Sequence, residues 1–166
     1  TYYYDGKRHV SEASGIVKLK DNAYFHVGGK YQTELLDQTG LPYEEETSIY
    51  SLFGVYHTAF GNGNLTLGLR QDEHDLFGDQ FSWRIGGVYD LSRQFSVWGN
   101  TGTGYRAPSL YELYGRDAIY GIGGVVGNTA LQPEESISRD IGIRYAIASL
   151  PIEIDLGYFD IDTDDR

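Results

Sequence analysis

The sequence GTGYRAPSLYELYG, from Gly102 to Gly115, and the sequence GNTALQPEES, from Gly127 to Ser136, enclose a glycine-rich stretch over 116–126. On both sides of this region, apolar and polar side chains alternate, as they do in a β-strand whose two faces meet different surroundings. The alternation stops between the two quoted segments. The pattern therefore predicts two strands joined by a loop over 106–133, far longer than an ordinary connection.

The same alternation recurs along most of the chain. It is clear from Phe25 to Leu35 and in five later segments, whereas 47–60 is strand-like without distinguishable faces and 10–19 is only weakly patterned. The apolar positions predicted to face outward together are Leu67, Leu69, Ile85, Val97, Ile141, Ile143, Ile154 and Leu156. The polar positions predicted on the opposite, inward face are Lys30, Glu34, Arg70, Arg84, Asn100, Asp140 and Arg144.

The predicted connections alternate in length. Short turns are expected near 20–22, 61–64, 91–93 and 148–150, and longer connections near 37–46, 75–79 and 106–133. This spacing predicts about eight strands in four antiparallel hairpins, with all the short turns at one end of the sheet. Strands of about ten residues, tilted by about 45°, span about 23 Å, close to the apolar band of a transmembrane barrel.

The composition limits the classes of function. The net charge of −11 argues against nucleic acid as a partner, because phosphates require a basic surface. The chain contains no Cys, which excludes disulfides and thiolate metal sites. It has no run of 18 apolar residues that would predict a transmembrane helix. Its first residues, from Thr1 to Asp5, have no signal-peptide character, so we expect an internal piece of a longer precursor.

Motifs for catalysis and cofactor binding are weak. The segment Gly102–Ala107 fits G-x-G-x-x-[GA], but the preceding strand alternates and Pro108 follows, whereas a dinucleotide-binding turn needs a buried strand and a helix. The four His residues lack metal-binding spacing, and no G-x-S-x-G occurs. The acids of 160–165 resemble the start of a Ca²⁺ loop without its Gly and closing Glu. We expect no enzyme activity, no cofactor and no resident metal.

The two opening segments resemble a signature of the TonB-dependent outer-membrane receptors. In that family a barrel strand ends in G-[YF]-[RK]-A-P, a long external loop follows, and G-N-x-x-L-x-P-E-[ET]-S re-enters the barrel. The matching positions are Gly104, Tyr105, Arg106, Ala107, Pro108, Gly127, Asn128, Leu131, Pro133 and Glu134. The resemblance implies an all-β, antiparallel transmembrane barrel of about 22 strands. Residues 1–166 would supply part of its wall, and no plug domain is recognisable in them.

The resemblance also implies a function. Such receptors take up a scarce ligand across the bacterial outer membrane, with energy from the TonB complex acting on the plug. The motifs are most similar to those of cobalamin and catecholate-siderophore receptors, with cobalamin slightly favoured. Because the insertion between the motif halves is long, a ferric siderophore remains the alternative ligand.

The loop supplies the expected ligand contacts, because aromatic side chains beside glycines suit a loop that closes on a ligand. These contacts are Tyr111, Tyr114, Arg116 and Tyr120. Ser109 is expected to cap a short helix that reaches Tyr114. The expected partners are therefore a small-molecule ligand, the TonB complex and outer-membrane lipid.

Two interpretations remain open from the sequence. A soluble or surface β-sheet binding module would share the alternation, but it would bury its apolar face against a second sheet rather than present it to lipid. The loop over 106–133 would, in a second interpretation, only cover the barrel mouth without contacting a ligand. An enzymatic barrel has no visible nucleophile to support it.

Overall fold

The chain folds into one open antiparallel β-sheet in which each strand pairs with its neighbours in sequence. The computed structural model describes residues 3–38, 44–115 and 127–164. The elements are β1 (Tyr4–Lys20), β2 (Ala23–Gln38), β3 (Glu45–Phe60), β4 (Gly63–His74), β5 (Gly78–Asp90), β6 (Phe95–Arg106), α1 (Leu110–Tyr114), β7 (Glu134–Ile147) and β8 (Ile152–Asp164). Within these ranges β1 and β8 do not pair, so the sheet is part of a larger barrel, as predicted. No described helix is long and apolar enough to cross a membrane.

Four tight turns lie at one end of the sheet and confirm the predicted hairpins. They follow β1, β3, β5 and β7. In an antiparallel sheet with sequential strand order, alternate connections must fall at the same end. Gly61 occupies the turn between β3 and β4 with a φ of +51°, a left-handed conformation that glycine adopts without steric cost.

The prediction of strands of about ten residues is wrong, because the strands contain 12 to 17 residues. β1 is the longest and includes the weakly patterned segment over 10–19. Hydrophobic alternation marks a strand only where its two faces meet different media. A strand that continues beyond the apolar band keeps its ladder while it loses this signal.

The prediction of a long connection near 75–79 is also wrong, because β4 and β5 are joined by the three-residue turn Asp75–Phe77. The Asp75 carboxylate accepts hydrogen bonds from the Thr47 hydroxyl and, at 2.7 Å, from the Ser48 N–H. Gly78 follows with a φ of +69° and reverses the chain. The Asp75 carboxylate and Gly78 thus form a tight turn in a segment whose polar sequence predicted a longer loop.

The two faces of the sheet differ as predicted. Six of the eight predicted outward residues are exposed on one face, and Leu67 and Val97 are half-buried on the same face. The opposite face contains the buried residues Leu36, Thr47, Ser51 and Asp72. We call these the outer and the inner face. Within the described chain no second sheet covers the apolar outer face, which argues against a two-sheet soluble module.

Large side chains on the inner face lie over glycines. A Cβ added to Gly142 would collide with the indole of Trp98, and one added to Gly157 would lie 3.0 Å from the same ring. Phe53 packs in the same way over Gly28. The Trp98 indole N–H donates to Asp155 at 3.1 Å, which fixes the ring against the wall. At these positions the inner surface is therefore smooth, because the Trp98 and Phe53 rings lie over glycines.

The assignment of faces predicts opposite tolerances at two adjacent residues. Leu67→Arg should destabilise the full-length barrel by about 2–4 kcal/mol, because it exposes a charge to lipid. Gly68→Ser should cost much less, since a Cβ there meets Arg84 and Val55 only at 3.8 Å. Unfolding measurements in lipid vesicles test this pair. The reverse order would show that the two faces are exchanged.

Candidate functional site

The loop between β6 and β7 leaves from the end of the sheet opposite the tight turns, and its described first part folds over the inner face. Its helix α1 contacts β2 and β3. Leu110 and Leu113 are 4% and 3% exposed, and Leu36 on the inner face of β2 is 1% exposed. Burial of these three leucines stabilises the loop across the barrel mouth. The described part of the loop therefore lies at the predicted end and folds over the inner face.

A capping box begins α1, as the sequence S-x-x-E predicts. The Glu112 N–H donates to the Ser109 hydroxyl at 3.2 Å, and the Ser109 N–H donates to the Glu112 carboxylate at 2.8 Å. These bonds satisfy two donors that a helix start otherwise leaves unpaired. The predicted helix and its cap at Ser109 are both confirmed.

Arg106 connects the helix to the following strand. Its guanidinium lies 3.0 Å from the Glu112 carboxylate and 3.2 Å from that of Glu134, the first residue of β7. A planar guanidinium has enough donors to bind two carboxylates at once. The Arg106 guanidinium, together with the Ser109 N–H, lowers the pKa of Glu112 to about 2.

The second motif half closes on the same helix. The Gly127 N–H donates to the Gly115 carbonyl at 2.7 Å, and the Asn128 N–H donates to the Glu112 carbonyl at 2.8 Å. A Cβ on Gly127 would lie 2.5 Å from main-chain atoms of Leu113, so only glycine fits there. We call this set of contacts the neck; it comprises Arg106, Glu112, Gly115, Gly127, Asn128 and Glu134. The two motif halves, separate in sequence, are one structural unit.

Tyr105 and the inner charges support the neck from below. Tyr105 interacts with Asp72 on β4, although β5 lies between the two strands. Asp72 is 1% exposed and pairs with Arg70 at 2.8 Å. Arg70 also donates to the Ser51 hydroxyl at 2.8 Å. The Tyr of the motif thus joins the end of β6 to a buried ion pair.

Other inner charges pair between neighbouring strands. Arg8 lies 2.8 Å from Glu34, and Arg144 lies 2.8 Å from Asp155. Both pairs join antiparallel neighbours on the inner face. Glu34 and Arg144, two of the polar residues predicted to face inward, each take part in one of these pairs.

Half of the predicted ligand contacts lie within the described chain. Tyr111 and Tyr114 are on α1 and half-buried. Tyr111 lines a cavity of about 360 Å³ between α1 and the ends of β1 and β2. Arg116 and Tyr120 lie outside the described residues. Lys7 and Arg8 line the same cavity from β1. No sequence pattern points to these two residues, because only strand pairing brings them near α1.

The described residues contain no group of three His, Cys, Asp or Glu side chains placed to hold a metal ion. The possible Ca²⁺ segment over 160–165 belongs to β8 up to Asp164, and Asp165 lies outside the described residues. In β8 the acids Asp160, Asp162 and Asp164 share one face of an extended strand, about 7 Å apart from one to the next, so they do not form the compact loop that Ca²⁺ coordination requires.

An open antiparallel sheet with an apolar outer face, a paired polar inner face and an infolded loop is the wall of a membrane β-barrel. Residues 2–166 match the family described as TonB dependent receptor-like, beta-barrel. The chain belongs to this family of outer-membrane transport receptors, and its location is the bacterial outer membrane.

Named relatives agree with this assignment. The chain is 39% identical over 88 residues to an iron-regulated outer membrane virulence protein of Vibrio cholerae, covering 51% of this chain and 13% of that protein. It is 26% identical over 141 residues to the vitamin B12 transporter BtuB of Photobacterium profundum, covering 82% and 22%. The siderophore receptor PirA of Pseudomonas aeruginosa has the same fold, with a TM-score of 0.80, 23% identity, and coverage of 96% and 31%. The chain thus spans less than a quarter of both curated relatives.

The neck predicts different roles for two motif glycines. Gly127→Ala should open the neck, because the added methyl would overlap the main chain of Leu113 and Tyr114. We expect a cost of about 1–3 kcal/mol. Gly104→Ala is the matched control, since its Cβ meets only the Ser136 hydroxyl, at 3.4 Å. Hydrogen exchange of the loop peptides in the full-length receptor should rise for the first variant alone. Equal exchange in both variants would contradict the neck geometry.

The low pKa of Glu112 predicts when acid opens the neck. A carboxyl group whose pKa is lower when folded stabilises the folded form above its ordinary pKa, here 4.5, and loses this contribution as the pH falls towards about 2. Exchange protection of peptide 106–115, corrected for intrinsic rates, should be constant from pH 7 to about 4.5 and then decline. Glu112→Gln should be less protected without this pH dependence. A wild-type decline centred above pH 5 would exclude Glu112 as the responsible group.

Proposed function

We propose that the full-length protein is a receptor that takes up cobalamin or a ferric siderophore by TonB-dependent active transport. The observation that supports this function most directly is the infolded loop, which holds aromatic side chains of α1 at the barrel mouth through the neck. A loop that is anchored at its base and aromatic in its helix suits ligand capture from the cell exterior. The names of the relatives, a vitamin B12 transporter and a siderophore receptor, are consistent with either ligand.

Energy coupling in this proposal involves a part of the protein other than the barrel wall. Residues 1–166 contribute wall and loop, and a plug domain elsewhere in the full-length protein would fill the barrel and contact the TonB complex. The smooth inner face, on which Trp98 lies flat over glycines, leaves space for such a domain. This division of roles follows the resemblance stated above.

The charges at the described mouth favour cobalamin of the two ligands. A ferric catecholate complex is anionic and would need unpaired cations nearby. The two cations that line the cavity beside Tyr111 are each neutralised, Lys7 by Asp5 at 2.9 Å and Arg8 by Glu34 at 2.8 Å. A ligand of low net charge that presents amide groups to tyrosines suits this cavity better.

The role of Tyr111 can be tested with a matched tyrosine. Tyr111→Ala in the full-length receptor should weaken ligand binding about tenfold, equivalent to about 1.4 kcal/mol, because it removes an aromatic contact at the mouth. Tyr158→Ala is the control, since Tyr158 lies on the lipid-facing side of β8 and is 68% exposed. Binding of cyanocobalamin and of ferric enterobactin to outer-membrane vesicles would be measured for both variants.

Deletion of 119–126 extends the test to the remainder of the loop. We expect weaker ligand binding with unchanged barrel assembly, judged by heat-modifiable migration on gels. Unchanged affinity in both this deletion and Tyr111→Ala would reduce the loop to a cover for the barrel mouth. Loss of ferric enterobactin binding alone would identify the siderophore as the ligand.

A further inference from the structure

The ladder between β5 and β6 ends before either strand does. Their cross-strand pairing stops at Arg84↔Gly102, although β5 continues to Gly78 and β6 continues to Arg106. Beyond this point each strand remains paired on its other side, β5 with β4 and β6 with β7. The sheet therefore splits between β5 and β6 at the end opposite the tight turns, which is the extracellular end of such barrels.

Main-chain groups of β5 face this opening. At its base the Trp83 N–H donates to the Thr103 hydroxyl at 3.1 Å, instead of to a ladder carbonyl. Main-chain groups of alternate residues point to the same side of a strand, so Asp79 and Phe81 present theirs in the direction of Trp83. Across the opening the described residues provide no ladder partner for them. An edge of this kind is a template for an added strand.

The opening is a cleft of about 630 Å³ with a distinct chemistry. Phe81 and Trp83 supply its apolar part. The carboxylates of Asp79, Asp162 and Asp164 also line the cleft, and none of the three forms an ion pair with a described residue. Tyr105 and Glu135 lie on its β6 and β7 side. Such a surface attracts cations and repels the phosphates of lipid headgroups.

We propose that the cleft between β5 and β6 binds an extended, basic polypeptide segment of a partner protein outside the cell. The segment adds a strand to the free edge of β5 over 78–82, a length of about 17 Å that accommodates about five residues. Main-chain hydrogen bonds supply the pairing, and the carboxylates of Asp79, Asp162 and Asp164 select Lys or Arg side chains. The site is separate from the loop helix and does not depend on which ligand the receptor transports.

A fluorescent eight-residue peptide, in which Lys alternates with Val or Thr, tests the proposal on the full-length receptor in detergent. We expect saturable binding that weakens at least tenfold between 50 and 500 mM NaCl. Hydrogen exchange at the amides of Asp79 and Phe81 should slow at least tenfold when the peptide is bound. The same peptide N-methylated at every residue, which keeps its charge but loses its N–H donors, should not bind.

Two variants separate charge selection from general attraction. The triple variant Asp79→Asn/Asp162→Asn/Asp164→Asn should bind the Lys peptide at least fivefold more weakly. The control Asp21→Asn/Asp90→Asn removes acids at the tight-turn end and should bind it normally. In the absence of peptide, ligand uptake by the triple variant should equal that of the wild type, so failure here is distinguishable from failure of the proposed transport function.

Three results would overturn the proposal. Equal binding of the N-methylated peptide would exclude strand addition. Equal binding to the triple variant, or no saturable binding at all, would exclude selection of a basic segment by these carboxylates. Protection of Asp79 and Phe81 amides by purified lipopolysaccharide without peptide would identify a lipid as the occupant.

Discussion

In a membrane, a main-chain N–H or C=O group without a partner costs several kcal/mol, and in this chain the cross-strand ladder satisfies these groups. The other features of the wall depend on that ladder. Because each strand pairs with its sequence neighbour, with a register shift only between Lys18 and Lys20 among the described pairs, every second side chain lies on the outer face and the others lie on the inner face. Among the described strands, the ladder between β5 and β6 stops before either strand ends, and it does so towards the extracellular end, where water or a polypeptide can satisfy the exposed edge.

The inner face accommodates large and charged side chains without projections at the positions described above. Trp98 lies over Gly142 and Gly157, so a ring occupies space that two Cβ atoms would otherwise take. Arg8 and Arg144 are each paired with an acid of the neighbouring strand. Pairing lowers the cost of placing these charges away from bulk water, and flat packing leaves the interior open. Both devices join adjacent strands, so they also reinforce the register that the ladder sets.

The neck links this wall to the proposed function. Arg106 binds Glu112 and Glu134 together, and Gly127 allows the returning chain to reach the main chain of α1. The base of the loop is consequently held by ion pairs and main-chain hydrogen bonds, whereas Leu110 and Leu113 are buried where its helix contacts β2 and β3. In a receptor, such an arrangement positions the aromatic side chains of α1 at the mouth.

The amino-acid sequence by itself determined the all-β class, the two faces, the four tight hairpins, the capped helix after Ser109 and the family. These properties depend on period-two alternation, turn residues and local motifs, which act within a few residues of one another. Only the tertiary structure decided that the loop folds inward, that Arg106 joins Glu134, that Asp75 makes a tight turn with Thr47 and Ser48, and that β5 and β6 part above Trp83. Each of these depends on which strand ends meet, and that follows from register and curvature summed over the sheet rather than from any local pattern.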